Sequence, residues 1–129
     1  MRKTIILVFL LILSAIASLI WLQDEYGCPE ENRDSCLLGI VYEKRGLAEK
    51  NICDEIKDRE KKDICFFSIS QYYPEEIREI CDKITLINGT SYYTRDNCYF
   101  KAALDHKNKQ FCESIQGEFQ RQLCFDAYN

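Results

Sequence analysis

A chain of 129 residues with a formal net charge of −4 has room for one small domain and a tail. Its acidic balance argues against a nucleic-acid partner, because a negative surface repels phosphates. Eight cysteines beside a single histidine, with no Cys-x2-4-Cys spacing, argue against a zinc centre or a thioredoxin-like redox site.

Residues 1–23 read as an export element. Arg2 and Lys3 precede an uncharged apolar run over residues 5–22, and Asp24 and Glu25 follow it. Eighteen residues at ~1.5 Å each just cross a hydrocarbon core of ~30 Å. The basic start keeps the N-terminus cytoplasmic and sends the rest outside. Ala15-Ile16-Ala17 supplies a small-x-small cleavage site, so the segment is either a retained signal-anchor or a signal peptide cut after Ala17. The run continues past Ala17 to Trp21, where an interfacial aromatic anchors, which favours the retained form. A lipid anchor on Cys28 would need that cysteine against the apolar run, and Asp24 and Glu25 intervene.

Residues 24–129 are then an extracytoplasmic domain with a charge of −6 once Arg2 and Lys3 are removed. This domain carries every cysteine: Cys28, Cys36, Cys53, Cys65, Cys81, Cys98, Cys112 and Cys124. An even count behind an export signal reads as a disulfide framework.

The domain is internally repetitive. Ile52-Cys53-Asp54-Glu55-Ile56, Ile80-Cys81-Asp82-Lys83-Ile84 and Phe111-Cys112-Glu113-Ser114-Ile115 share one pattern: apolar, Cys, acid, any, Ile. Downstream, Lys62, Arg95 and Arg121 each stand three positions before Cys65, Cys98 and Cys124, and Phe66, Tyr99 and Phe125 follow those cysteines. Arg33-Asp34-Ser35-Cys36 is a shorter first copy, opened by Cys28. The repeats run about 28–46, 47–73, 74–106 and 107–129, an array with an atypical end.

Each repeat is expected to be a helical hairpin, with a short front helix, a turn and a back helix. Ile77, Ile80, Cys81 and Ile84 recur with a helical period, Pro74 opens that segment, and Thr94 is an N-cap for the following one. β-branched alternation is absent, so the fold class is all-α: an N-terminal transmembrane helix, then disulfide-stapled helical hairpins. The turn of repeat three is five residues longer than in repeats two and four and contains Asn88-Gly89-Thr90, a turn signal and a glycosylation acceptor at Asn88. A turn brings the end of a front helix to the start of a back helix, within the ~7 Å that a disulfide spans. The expected pairs are therefore Cys28–Cys36, Cys53–Cys65, Cys81–Cys98 and Cys112–Cys124.

No catalytic, cofactor-binding or metal-binding residue is assigned. His106, the one histidine, reads as a solvated residue at a helix end. Glu55, Asp82 and Glu113 near the front cysteines, with Lys62, Arg95 and Arg121 before the back ones, read as a repeated structural salt bridge or helix-end charge across each turn, with a charged strip for a ligand as the secondary reading. Tyr72-Tyr73 and Tyr92-Tyr93 read as packing at hairpin ends, with a secondary reading as interface residues.

The motif Ile-Cys-Asp-x-Ile, followed by Arg-Asp-x-Cys-Tyr and Ala102-Ala103, resembles a repeat of uncharacterised exported or membrane-anchored archaeal proteins. The resemblance covers residues 28–129 and implies helical hairpins outside the cytoplasm, with no implied activity. The expected function is a membrane-anchored interaction or structural module, held by residues 5–22 and binding a protein partner not named by the sequence. An envelope enzyme or small-ligand binder with a groove between hairpins, and an accessory subunit of a membrane complex, are the alternatives.

Overall fold

The computed structural model describes residue 12 and residues 26–44 and 50–129. It divides into two compact parts, residues 1–33 and 34–129. The apolar run expected to anchor the chain lies outside the described residues apart from Ile12, and no helix among the described residues is long and apolar enough to cross a membrane. In the first part, Pro29 precedes a 3-10 turn, Glu30–Asn32, and Arg33 Nε stands 3.9 Å from the Glu30 carboxylate.

The described residues are helical, with no strand. Five α-helices follow in order: α1 Arg33–Lys44, α2 Arg59–Ser70, α3 Ile77–Asp82, α4 Arg95–Asp105 and α5 Glu118–Asp126. The back halves of the repeats are α1, α2, α4 and α5. Two of them start on side-chain caps: Asp58 accepts from Lys61 N at 2.9 Å and Thr94 from Asn97 N at 3.1 Å, each satisfying a first-turn N–H that has no helical partner.

The front halves differ from expectation. Only repeat three forms an α-helix there, α3, entered through the 3-10 turn Pro74–Glu76. Repeats two and four use 3-10 turns, Lys50–Cys53 and Lys109–Ser114. All three segments are six residues or fewer, a length at which an α-helix offsets little of its nucleation entropy and a 3-10 turn closes as well.

Successive back helices pack on one another, α2 against α4 and α4 against α5. The front segments of repeats three and four wedge between the back helix of the preceding repeat and their own: α3 touches α2 and α4, and the 109–114 turn touches α4 and α5, while the 50–53 turn packs on its own back helix, α2. The repeated motif is the wedge. Ile52, Cys53 and Ile56, then Ile80, Cys81 and Ile84, then Phe111, Cys112 and Ile115 are all buried, as are Cys65, Cys98 and Cys124 opposite them. Each buried isoleucine contributes about 1.5–3 kcal/mol through apolar area removed from water.

Disulfides fasten each wedge to its own back helix. Cys53–Cys65, Cys81–Cys98 and Cys112–Cys124 close with Cα separations of 5.5, 5.7 and 5.6 Å. The extra residues of repeat three thus leave the bridge geometry unchanged. Cys28 and Cys36 are also disulfide-bonded, and no cysteine is free. Disulfides persist where the surroundings are oxidising, which marks the protein as extracytoplasmic or secreted.

Candidate binding surface

The aspartate two positions before each of the first three back cysteines builds the surface. Asp34 accepts from Lys57 N at 3.1 Å and Asp58 N at 2.7 Å. Asp63 accepts from Thr85 N at 2.9 Å, Leu86 N at 3.2 Å and the Thr85 hydroxyl at 2.8 Å. Asp96 accepts from Gln116 N at 2.9 Å and Gly117 N at 2.8 Å. In every case the donors are the two backbone N–H groups after the motif isoleucine of the next repeat: Ile56, Ile84 or Ile115. One carboxylate per repeat therefore clamps the following repeat where its chain leaves the core. Charge-assisted bonds of this kind are worth about twice a neutral one. The two N–H donors hold the Asp34 carboxyl below the usual carboxylate value. Gly117 sits so close that an added Cβ would lie 3.2 Å from an Asp96 carboxylate oxygen.

Repeat four breaks the pattern. Gln122 stands at the clamp position, and its amide donates to Asp126 at 2.8 Å on its own helix. The signal for the clamps was present in the sequence as Asp34, Asp63 and Asp96, but it pointed to partners twenty or so residues away that only the packing reveals.

Of the charged residues singled out from the sequence, Asp82 and Arg121 have partners other than the opposite charge across their own turn. Asp82 takes the Tyr99 hydroxyl at 2.8 Å, and burial together with that carboxylate raises Tyr99 well above the ordinary tyrosine range. Arg121 reaches the Ile115 carbonyl at 3.3 Å. By register the counterpart of Asp82 and Glu113 is Asp54 rather than Glu55, and Asp54 pairs with Lys83 of the next repeat at 2.8 Å. Lys83 also lies 5.2 Å from the Phe66 ring centroid. Lys50 pairs with Glu76, which raises its pKa. The charges thus tie repeat to repeat as well as turn to helix.

Asp63 also pins the long turn of repeat three at its entry, and Arg95 N and Asp96 N pin it further by donating to the Leu86 and Ile87 carbonyls at 2.8 and 3.0 Å. The segment between stands out from the array. Leu86, Ile87 and Asn88 are exposed, and Gly89 adopts φ +140°, a conformation that side-chain-bearing residues rarely take. Tyr92 and Tyr93 return to the body and stack edge-on against Phe67, with ring centroids 5.1 and 5.4 Å away. Tyr92 remains 62 % exposed. Between this turn and the first turns of α2 lies a cleft of about 330 Å³, lined by Arg59, Glu60, Asp63, Leu86, Ser91 and Tyr93.

A second concavity, of about 280 Å³, lies one repeat further on, lined by Asn97, Phe100, Phe119, Gln120 and Leu123. Phe100 holds the position in its repeat that Phe67 holds in the previous one, and Phe119 the position of Tyr93. Here the aromatic stands out instead of folding back: Phe119 is 78 % exposed, with Leu123 at 45 % beside it. Leu104 on α4 is exposed as well.

His106 caps the end of α4, half-buried rather than solvated, with Nε2 shielded and without a hydrogen-bond partner. Tyr72 is exposed and Tyr73 half-buried at the end of α2. Among the described residues, no group of three or more His, Cys, Asp or Glu side chains is arranged to hold a metal ion.

Comparison of the chain with protein-family models, with curated proteins and with solved structures finds no match.

Proposed function

We propose that the protein is an extracytoplasmic interaction module, tethered through residues 5–22, whose stapled repeat array presents an apolar surface to a protein partner. The observation that carries this reading is Phe119, 78 % exposed on α5 beside Leu123 and the concavity at Phe100. Aromatic anchors next to pockets are the residues on which interfaces concentrate their binding energy. A scaffold crosslinked at every repeat holds such an anchor at little further entropic cost on binding. Retention of residues 1–23 would fix the module at the membrane, and cleavage after Ala17 would release it.

Site-specific photocrosslinking in the intact envelope tests this. A photoreactive residue at Phe119 should give a discrete adduct with a protein partner, and one at the exposed Glu113 should not. Equal labelling from both positions, or none from Phe119, contradicts the reading. Fractionation of the same cells, with N-terminal sequencing, should find the chain in membranes with residues 1–23 intact.

A further inference from the structure

The long turn of repeat three builds a site of its own. Repeats two and four connect the same elements with five fewer residues, and in arrays of this kind an insertion into one repeat maps to a loop on one face, often the binding face. Here the insertion forms one wall of the 330 Å³ cleft, with Leu86, Ser91 and Tyr93, and the start of α2 forms the other, with Arg59, Glu60 and Asp63.

The lining chemistry limits what fits. Asp63 is already committed, since its carboxylate receives the Thr85 and Leu86 donors, and it keeps the wall in place. Arg59 Nε donates to the Thr85 hydroxyl at 2.7 Å, which fixes the side chain and leaves the terminal NH2 groups as donors. Glu60 offers an exposed carboxylate acceptor, and the Ser91 hydroxyl both donates and accepts. An anionic ligand would meet the carboxylates of Glu60 and Asp63. A cationic ligand would meet the Arg59 guanidinium. A neutral ligand that both donates and accepts uses every group present. Leu86 and the Tyr93 ring further require one apolar face. The volume lies at the small end of the ~300–1,000 Å³ typical of ligand sites.

We infer that the cleft is a binding site for a neutral saccharide of one or two rings, with a C–H face of the sugar on Tyr93 and Leu86 and its hydroxyls shared among Arg59, Glu60 and Ser91. It is independent of the apolar surface around Phe119 and adds a small-ligand function to the module. No bond is made or broken in it.

The test is an NMR titration of the full chain in a detergent without a sugar headgroup. The probes are methyl glucoside, methyl mannoside and N-acetylglucosamine, with glucuronate and glucosamine as charged rings of the same shape. A neutral sugar should shift the amides of residues 59–63 and 85–93 saturably in the millimolar range, and the charged rings should bind more weakly. Glu60→Ala should weaken binding at least about fivefold, as expected for one charge-assisted hydrogen bond, with the amides of α5 unmoved as proof of fold. Glu113→Ala should bind as the parent does. The inference is overturned if none of the neutral sugars shifts these amides at tens of millimolar. It is also overturned if a charged ring binds as tightly, or if Glu60→Ala binds undiminished.

Discussion

Single carboxylates carry much of the order of this molecule. Asp63 and Asp96 are buried, and each satisfies two backbone N–H groups that have no helical partner. Leaving a buried donor unmet costs about 1–3 kcal/mol. Asp96→Ala should therefore lower the urea-unfolding free energy by about 2–4 kcal/mol, while Gln122→Ala, at the same position of repeat four, should change it by less than about 0.5 kcal/mol. Asp34 adds a pH signature. Its folded pKa is depressed, so its contribution is complete above the ordinary aspartate value and is lost as the pH falls through the lower, folded value. Equilibrium unfolding below about pH 4 should accordingly show a shallower acid limb in Asp34→Asn than in the parent. Tyr99 acts at the other end of the scale. Its folded pKa is raised, so its contribution is present below the ordinary tyrosine value and is lost as the pH rises through the folded one, and Tyr99→Phe should flatten the alkaline limb above about pH 10. Lys107, at φ +51° just past α4, occupies a left-handed conformation that costs an L-residue about 1–2 kcal/mol. Lys107→Gly should raise the melting temperature.

The repeat is the element at which sequence and structure agree most closely. The apolar, Cys, acid, any, Ile motif was legible because its apolar positions and cysteine are all buried together, so one packing constraint is written three times. The three bridges Cys53–Cys65, Cys81–Cys98 and Cys112–Cys124 follow from the same local logic, in which a turn returns the chain to its own start. What was not legible is whatever depends on the neighbouring repeat. Asp63 and Asp96 look like ordinary polar residues near a helix start until the packing sets Thr85 and Gly117 against them. The front segments of repeats two and four were read as helices because a single turn of sequence carries the same apolar spacing for an α- and a 3-10 turn. The burial of His106 depends on the path of the chain after α4, which periodicity does not encode. Each bridge closes a short loop, and in the chain-entropy model removing one costs about 3 kcal/mol. Replacing Cys112 and Cys124 together by Ala should cost about that much and leave the remaining bridges intact on non-reducing peptide maps. Because each repeat is tied to its neighbours by an aspartate clamp, losing the last bridge should loosen repeat four before repeat three, visible as faster amide exchange in α5 than in α4.

At the scale of the whole molecule, the array behaves as a chain of nearest neighbours. Wedge, clamp and bridge recur from repeat to repeat, and the two concavities lie where the pattern is broken, at the long turn of repeat three and beside the outward aromatic of repeat four. A small core of this kind draws a large share of its stability from crosslinks, so reduction should unfold it at temperatures the oxidised form withstands. All of this, and the placement outside the cytoplasm with it, depends on the cysteines being oxidised in the living cell. The decisive measurement is a peptide map of the chain purified from its own cells with free thiols blocked at lysis and no reductant added. The account predicts no blocked thiol and the pairs Cys53–Cys65, Cys81–Cys98 and Cys112–Cys124. Blocked, free cysteines in the folded chain would contradict it and return the eight thiols to the cytoplasm.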